Sequence, residues 1–248
     1  MEKIISLTSE NITTEHICCA FSDKKAVEGY EARKQWITEN LKNGFTFKKF
    51  DIRGKVFIEY VPAENAWCPI NAPGYMFIDC FWVSGQYKGK GYGKALLQEC
   101  FADAKDKNGI VVVTSDKKRP FLNNSKFFKL QGFEKCDSAV PHFELWYKPF
   151  KEDAPVPQFK DCVRQAECDN PNGLTIYYSN GCPFTEYYVA EVEVVAAEKG
   201  FAVETIKIET KEQAQNHCVP FTKYSVFRDG KFVTHQILNE GYFNKFIR

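Results

Sequence analysis

The segment Val83-Ser84-Gly85-Gln86-Tyr87-Lys88-Gly89-Lys90-Gly91-Tyr92-Gly93-Lys94-Ala95-Leu96-Leu97 carries the densest chemical signal in the chain. An apolar run ends, three alternating glycines follow, and Leu96, Leu97, Cys100, Phe101 and Ala104 then form the apolar stripe of a helix. Glycine lacks a Cβ, so backbone there can close on a ligand. The first amides of a helix have no intrahelical acceptor and carry the positive end of its dipole. Loop and helix together predict a cradle for a phosphate or pyrophosphate, with Lys88, Lys90 and Lys94 adding positive charge. The residues after Gly89 do not give a Walker A loop, and the GxGxG spacing is not the GxGxxG of a dinucleotide site.

The pattern resembles motif A of the GNAT superfamily of acyl-CoA N-acyltransferases, with Gly91 and Gly93 at its G-x-G positions and Lys88 where Gln or Arg is usual. The stretch Asn123-Asn124-Ser125-Lys126-Phe127-Phe128-Lys129-Leu130-Gln131-Gly132-Phe133 is similar to that family's Asn-to-Gly-Phe signature. The resemblance covers residues 1–150. It implies that Phe81, Trp82 and Val83 line the pantetheine arm of acetyl-CoA. The amides of Lys88, Gly89, Lys90, Gly91, Tyr92, Gly93 and Lys94 would take its pyrophosphate, with Asn123, Asn124 and Phe127 against the CoA chain. It also implies direct attack by an amine in a ternary complex, without a covalent nucleophile. Asp79, four residues before Val83 and among Ile78, Cys80, Phe81 and Trp82, is the first candidate for the base, since desolvation raises a carboxyl pKa. Glu59 is the second. Phe128 stands where the family has a proton-donating Tyr, so that role falls to Tyr87, Tyr92 or Tyr147, or is left to water.

These residues need elements to hold them. Ile4–Thr8, Phe45–Asp51, Lys55–Tyr60, Tyr75–Val83, Ile110–Ser115, Phe133–Cys136 and His142–Tyr147 read as strands. Thr13–Phe21, Glu31–Lys42, Gly91–Asp106 and Ser125–Leu130 read as helices. Three prolines among charges at 147–160 mark a break, with residues 151–160 as a Pro-rich linker. Basic residues exceed acidic ones before the break, and the reverse holds after it. Residues 161–248 read as a second, smaller unit. Its strands are Leu174–Tyr178, Val203–Ile208, Tyr224–Arg228 and Lys231–Thr234, and its helices Phe184–Lys199, Lys211–Asn216 and Tyr242–Ile247. The elements read as α/β, mixed with α+β, and the resemblances given above and below imply an acyl-CoA N-acyltransferase fold followed by a smaller thioredoxin-like domain.

In the second unit Cys182 precedes Pro183 at the start of a helix, where the dipole favours a thiolate. The turn resembles the C-P-[FY]-C turn of thioredoxin and glutaredoxin folds, with Thr185 at the second Cys position, and the unit as a whole resembles the YoaP-type domain that follows bacterial acetyltransferases. Cys218, before Val219-Pro220, sits where that fold keeps a cis-proline beside its thiol. Cys182, alone or with Cys218, is the candidate reactive thiol; His217 is a weaker ligand candidate, and no metal is expected. None of the 10 cysteines forms a CxxC pair, which removes zinc-ribbon and dithiol-redox readings and fits reduced thiols in a cytoplasmic protein.

Net charge of +1 gives no global field for nucleic acid or membrane. The longest apolar runs fall short of the roughly 18 residues of a span, and the start does not read as a signal peptide. The expected function is acetyl-CoA-dependent N-acetylation of a small amine or amino-acid-like compound, with a homodimer left open. The alternative is a thiol-based binding or sensor protein that holds CoA with little transfer.

Overall fold

A computed structural model describes residues 2–17 and 19–247. Its first part runs β1 (Ile4–Ser6), α1 (Val27–Leu41), β2 (Thr46–Phe50), β3 (Val56–Pro62), β4 (Ile70–Asn71), β5 (Tyr75–Val83), α2 (Tyr92–Asp103), β6 (Gly109–Ser115), α3 (Ser125–Leu130), β7 (Glu134–Ala139) and β8 (Phe143–Pro149). After β9 (Gln158–Phe159) come β10 (Leu174–Tyr178), α4 (Thr185–Glu198), β11 (Val203–Lys207), α5 (Lys211–Gln215), β12 (Tyr224–Arg228), β13 (Lys231–Thr234) and α6 (Glu240–Phe246). No described helix is long and apolar enough to cross a membrane.

A seven-stranded sheet in the order β1-β2-β3-β5-β6-β8-β7 carries the first part. Alternation along β5 divides its faces: Tyr75 and Phe77 join the core under α1 with Trp36 and Ile37, while Met76 and Ile78 join the core under α2 with Leu96, Leu97 and Cys100. Two irregularities in β5 matter for the site. Against β3, Glu59 faces Cys80 and Tyr60 faces Ile78, so Asp79 is the extra residue of a β-bulge. Against β6, the parallel ladder stops at Ile78–Val112 although both strands continue, so the two splay apart beyond that point.

The second sheet has the order β11-β10-β12-β13, parallel between β10 and β11 and antiparallel elsewhere. Along the chain its elements run β10-α4-β11-α5-β12-β13-α6, the succession of strands and helices that the sequence predicts for this unit. Its own core holds Leu174, Ile176, Val192, Val226 and Phe243. Its other face does not stand apart: Val219 and Phe227 are buried in the same cluster as Phe77 and Phe143 of the first sheet. Thr222 Oγ1 donates to the Trp67 carbonyl at 2.6 Å, and Gln215 Nε2 to those of Glu64 and Ala66 at 3.0 Å each.

Three sequence expectations need correction. Residues 13–17 and 19–21 form turns rather than a helix; Cys18 lies outside the described residues. Asn11 Oδ1 accepts the Thr8 amide at 2.8 Å and His16 Nε2 bonds the Ile52 carbonyl at 3.1 Å, so local side-chain bonds and a tie to the hairpin displace the helical ladder. Residues 151–160 are not linker throughout, because Gln158–Phe159 pairs antiparallel with Ile70–Asn71. The Val219–Pro220 peptide is trans; among described residues the cis bond is Val140–Pro141.

Candidate active site

A cavity of about 720 Å³ opens where β5 and β6 part. Phe81, Trp82 and Val83 form one wall, Tyr87, Lys88, Gly89, Gly91, Tyr92, Gly93 and Lys94 a second, and the loop 118–124 with Phe127 and Phe128 the third. Of the residues expected at a CoA site, Lys90 is the one that does not line it. Gly91 is the N-cap of α2 at φ 86°, a left-handed conformation that other residues adopt only with strain. A Cβ on Gly93 would stand 3.2 Å from Phe81 and 3.4 Å from Phe127, two rings that stack at 5.0 Å. The glycines thus place the first turn of α2, whose amides lack intrahelical acceptors, along the cavity and leave room for its aromatic wall.

The two asparagines have structural work of their own. Asn123 Nδ2 donates to the Val113 carbonyl at 3.3 Å, and Asn124 Oδ1 caps α3 by accepting the Lys126 amide at 3.1 Å. Phe128 is fully buried, edge-on to Phe133 at 5.1 Å. Tyr87 and Tyr92 reach the cavity, and Tyr92 Oη donates to Glu2 at 2.5 Å; Tyr147 packs against Tyr75 in the other core.

On the α1 side of the splay the bulge brings a charged quartet together. Arg33 of α1 pairs with Glu59 at 2.6 Å, and both are nearly inaccessible. Lys223, the residue just before β12 in the second unit, pairs with Asp79 Oδ2 at 2.9 Å and donates to the Asp79 carbonyl at 3.1 Å. The Arg33 guanidinium lies 4.4 Å from the Trp36 ring, and its Nη1 has no partner. The Asp79 expectation is thus corrected in direction. Burial does push its pKa up, but Lys223, Arg33 and a hydrogen bond from Lys223 outweigh burial and hold it below the usual carboxylate value. Glu59 is the raised one: burial dominates, Arg33 and Lys223 oppose, and the Asp79 charge adds to the rise.

The comparisons with known proteins fit this geometry. The model of the acetyltransferase (GNAT) family matches residues 11–133, and that of the YoaP-like family matches 203–245. The N-acetyltransferase YoaP of Bacillus subtilis (strain 168), described as uncharacterized, is 40% identical over 245 residues, covering 98% of this chain and 97% of that one. The chain belongs to the GNAT acetyltransferase family. It is an N-acetyltransferase with a YoaP-like second part. Solved structures with low overall similarity include an N-acetyltransferase from Staphylococcus aureus Mu50 (15% identity, 60% of this chain, 98% of that one, TM-score 0.39). Another is a GNAT-family acetyltransferase from Brucella melitensis in complex with acetyl-CoA (18% identity, 62% and 91%, TM-score 0.36).

The thiols of this acetyltransferase depart from expectation. Cys182 lies before α4, which begins at Thr185, and Pro183 is not in the helical turn. Burial raises the Cys182 pKa; the Phe184 amide, Lys223 and Arg33 oppose but do not win. Burial likewise pushes Cys218 up to about 12. Cys182 packs against the second unit's own core and Cys218 against the core of the larger sheet, so the two do not sit in one apolar cluster. His217 is buried against Tyr177, bonds Ser225 Oγ at 2.9 Å, and is pushed down to about 3 by burial. No group of metal-ligating side chains occurs among the described residues.

Sequence reasoning missed Arg33 and Lys223. Arg33 carried a signal, being one turn before Trp36 on the stripe that also holds Ile37. Lys223 carried none, because its partner is 144 positions away.

Proposed function

We propose that the chain transfers an acetyl group from acetyl-CoA directly to a small amine. The observation that carries this reading is the splay of β5 from β6, with a glycine-lined helix start on one side and a carboxylate pair on the other. The pyrophosphate would rest on the amides of residues 88–94, and the exposed lysines there would add screened attraction. The pantetheine arm would follow Phe81–Val83, whose β6-facing edge has no strand partner. The amine would approach the bulge from the α1 side, and its proton would pass to the Asp79–Glu59 pair.

Within that pair Glu59 is the better final holder of a proton, because its affinity is raised while Asp79 is held ionised by Lys223. The departing thiolate meets no donor at Phe128, so Tyr87 or solvent would protonate it. Direct transfer needs no protein thiol, and raised pKa values at Cys80, Cys182 and Cys218 leave the sensor alternative without a ready thiolate.

CoA release from acetyl-CoA over a panel of small amines and amino acids tests the proposal. Amine-dependent release that Gly91→Glu abolishes is the expected result. Tight acetyl-CoA binding with no release for any amine would refute transfer and restore the holding role.

A further inference from the structure

The quartet contains an amine that belongs to the chain itself. Lys223 Nζ lies 3.1 Å from the carbonyl of the bulged residue Asp79 and 2.9 Å from its carboxylate, at the point where β5 loses its β6 partner. Phe81, which lines the large cavity, is two residues further along the same strand, about 7 Å at the usual rise per residue. Side chains of Lys223 and Asp79 keep 14% and 10% of their accessible surface, while Asp79 Oδ2 itself is inaccessible. This amine, held by a strand carbonyl and a carboxylate, lies beside the splay on the α1 side, from which the acceptor of the proposed transfer would approach.

We propose that Lys223 is an acetylation site of this chain, modified by its own active site. The inference rests on the acetyl-transfer reading above. The ammonium gives a proton to the Asp79–Glu59 pair. The freed nitrogen lone pair attacks the thioester carbonyl carbon of acetyl-CoA, an amide C–N bond forms and the C–S bond breaks. The leaving thiolate takes up a proton, so the products are Nε-acetyl-Lys223, CoA thiol and one proton to solvent.

The groups facing Lys223 set the pace. Asp79 and Glu59 favour the ammonium, while burial and Arg33 disfavour it; the carboxylates prevail and the pKa is raised. Cys80, also facing it, favours the ammonium only when ionised, and burial holds its thiol up at about 12. Cys182 feels Lys223 from the α4 side and is itself held protonated. The reaction is therefore slow and single-turnover at neutral pH, and quickens as pH rises. Once the amide forms, the cation opposite Asp79 is gone, and the contact between the second unit and β5 loses its ion pair.

The experiment incubates the full chain with isotopically labelled acetyl-CoA at pH 7 to 9 and reads modified peptides by mass spectrometry. Expected are one acetyl group per chain on Lys223 and a rate unchanged over a tenfold range of protein concentration. The rate should rise about tenfold per pH unit, and excess CoA should suppress it. Lys223→Arg, which keeps the positive charge, should lose that single incorporation. Lys223 unmodified while the same preparation releases CoA to external amines overturns the inference and leaves the transfer reading standing. Modification that scales with protein concentration, or that CoA does not suppress, also overturns it. Absence of acetyl-CoA binding by calorimetry removes both.

Discussion

Replacing Lys223 by Met removes the ammonium from a buried pair and keeps much of its aliphatic volume. The partner carboxylate stays behind, 10% exposed, with its closest cation gone. Removing one partner of a buried pair costs roughly 3–5 kcal/mol, chiefly because an uncompensated charge is left in place. Arg33 still faces Asp79, which puts the expectation near the lower end, about 3 kcal/mol at pH 7.5. The sign with pH follows. In the native chain Asp79 is held below its unfolded value, so its pair contributes stability above about pH 4 and loses it as pH falls further. In Lys223→Met the carboxyl is left to burial, its pKa rises above the unfolded value, and the penalty shrinks on acidification as it takes a proton. Urea unfolding at pH 7.5 and 5.0 reads this, with Asp79→Asn and the double variant closing a thermodynamic cycle. The double variant should be less destabilised than the sum of the singles by about 1–3 kcal/mol. Additive losses, or a Lys223→Met penalty that grows towards pH 5, would refute the pairing argument.

Gly91→Glu forces a side chain onto a residue at φ 86° beside the helix start and places a carboxylate at the expected pyrophosphate seat; calorimetry should show acetyl-CoA affinity reduced at least a hundredfold. Glu59→Gln should lower kcat by roughly 10²–10⁴-fold and flatten the acid limb of the rate profile, with acetyl-CoA binding retained. Limiting iodoacetamide should label exposed Cys162 before Cys182, and Cys182 labelling should climb steeply with pH because burial holds that thiol up. His235, pushed down to about 4 chiefly by burial, binds fewer protons folded than unfolded, so stability should fall as pH drops from 6.5 towards 4. His235→Gln should make the thermal midpoint less sensitive across that window.

The glycine loop and the element order were legible because both are local. A strand, a turn and an amphipathic stripe each declare themselves within a dozen residues, and Gly91 sits at the one helix start among the described residues with a positive φ. The bulge was not legible: nothing in Ile78-Asp79-Cys80 reveals that β3 skips a residue there, yet that skip puts Asp79 and Cys80 on one face. The electrostatics failed for the same reason. The chain neighbours of Asp79 are apolar, whereas its folded neighbours are Lys223 and Arg33. Cys182 was read from helix position alone, and burial outweighed the nearby cations. Residues 13–21 looked helical by composition, but Asn11 and His16 offered their backbone better-placed bonds.

The short clasp of β4 with β9 has a mechanical consequence. Gln158–Phe159 is fastened to Ile70–Asn71, and Arg164 grips Asp137 at 3.0 and 2.8 Å and the Ser138 and Phe159 carbonyls at 3.0 and 3.1 Å. The tether that emerges from β8 is therefore anchored to the first sheet's side of the molecule before it reaches β10. A further close contact lies on the α1 side, where the Pro183 carbonyl approaches Gly29 so closely that a Cβ there would stand 2.2 Å from it. Cleavage in the exposed stretch 151–153 should leave two fragments that stay associated and co-migrate through gel filtration, as a complemented enzyme rather than two proteins.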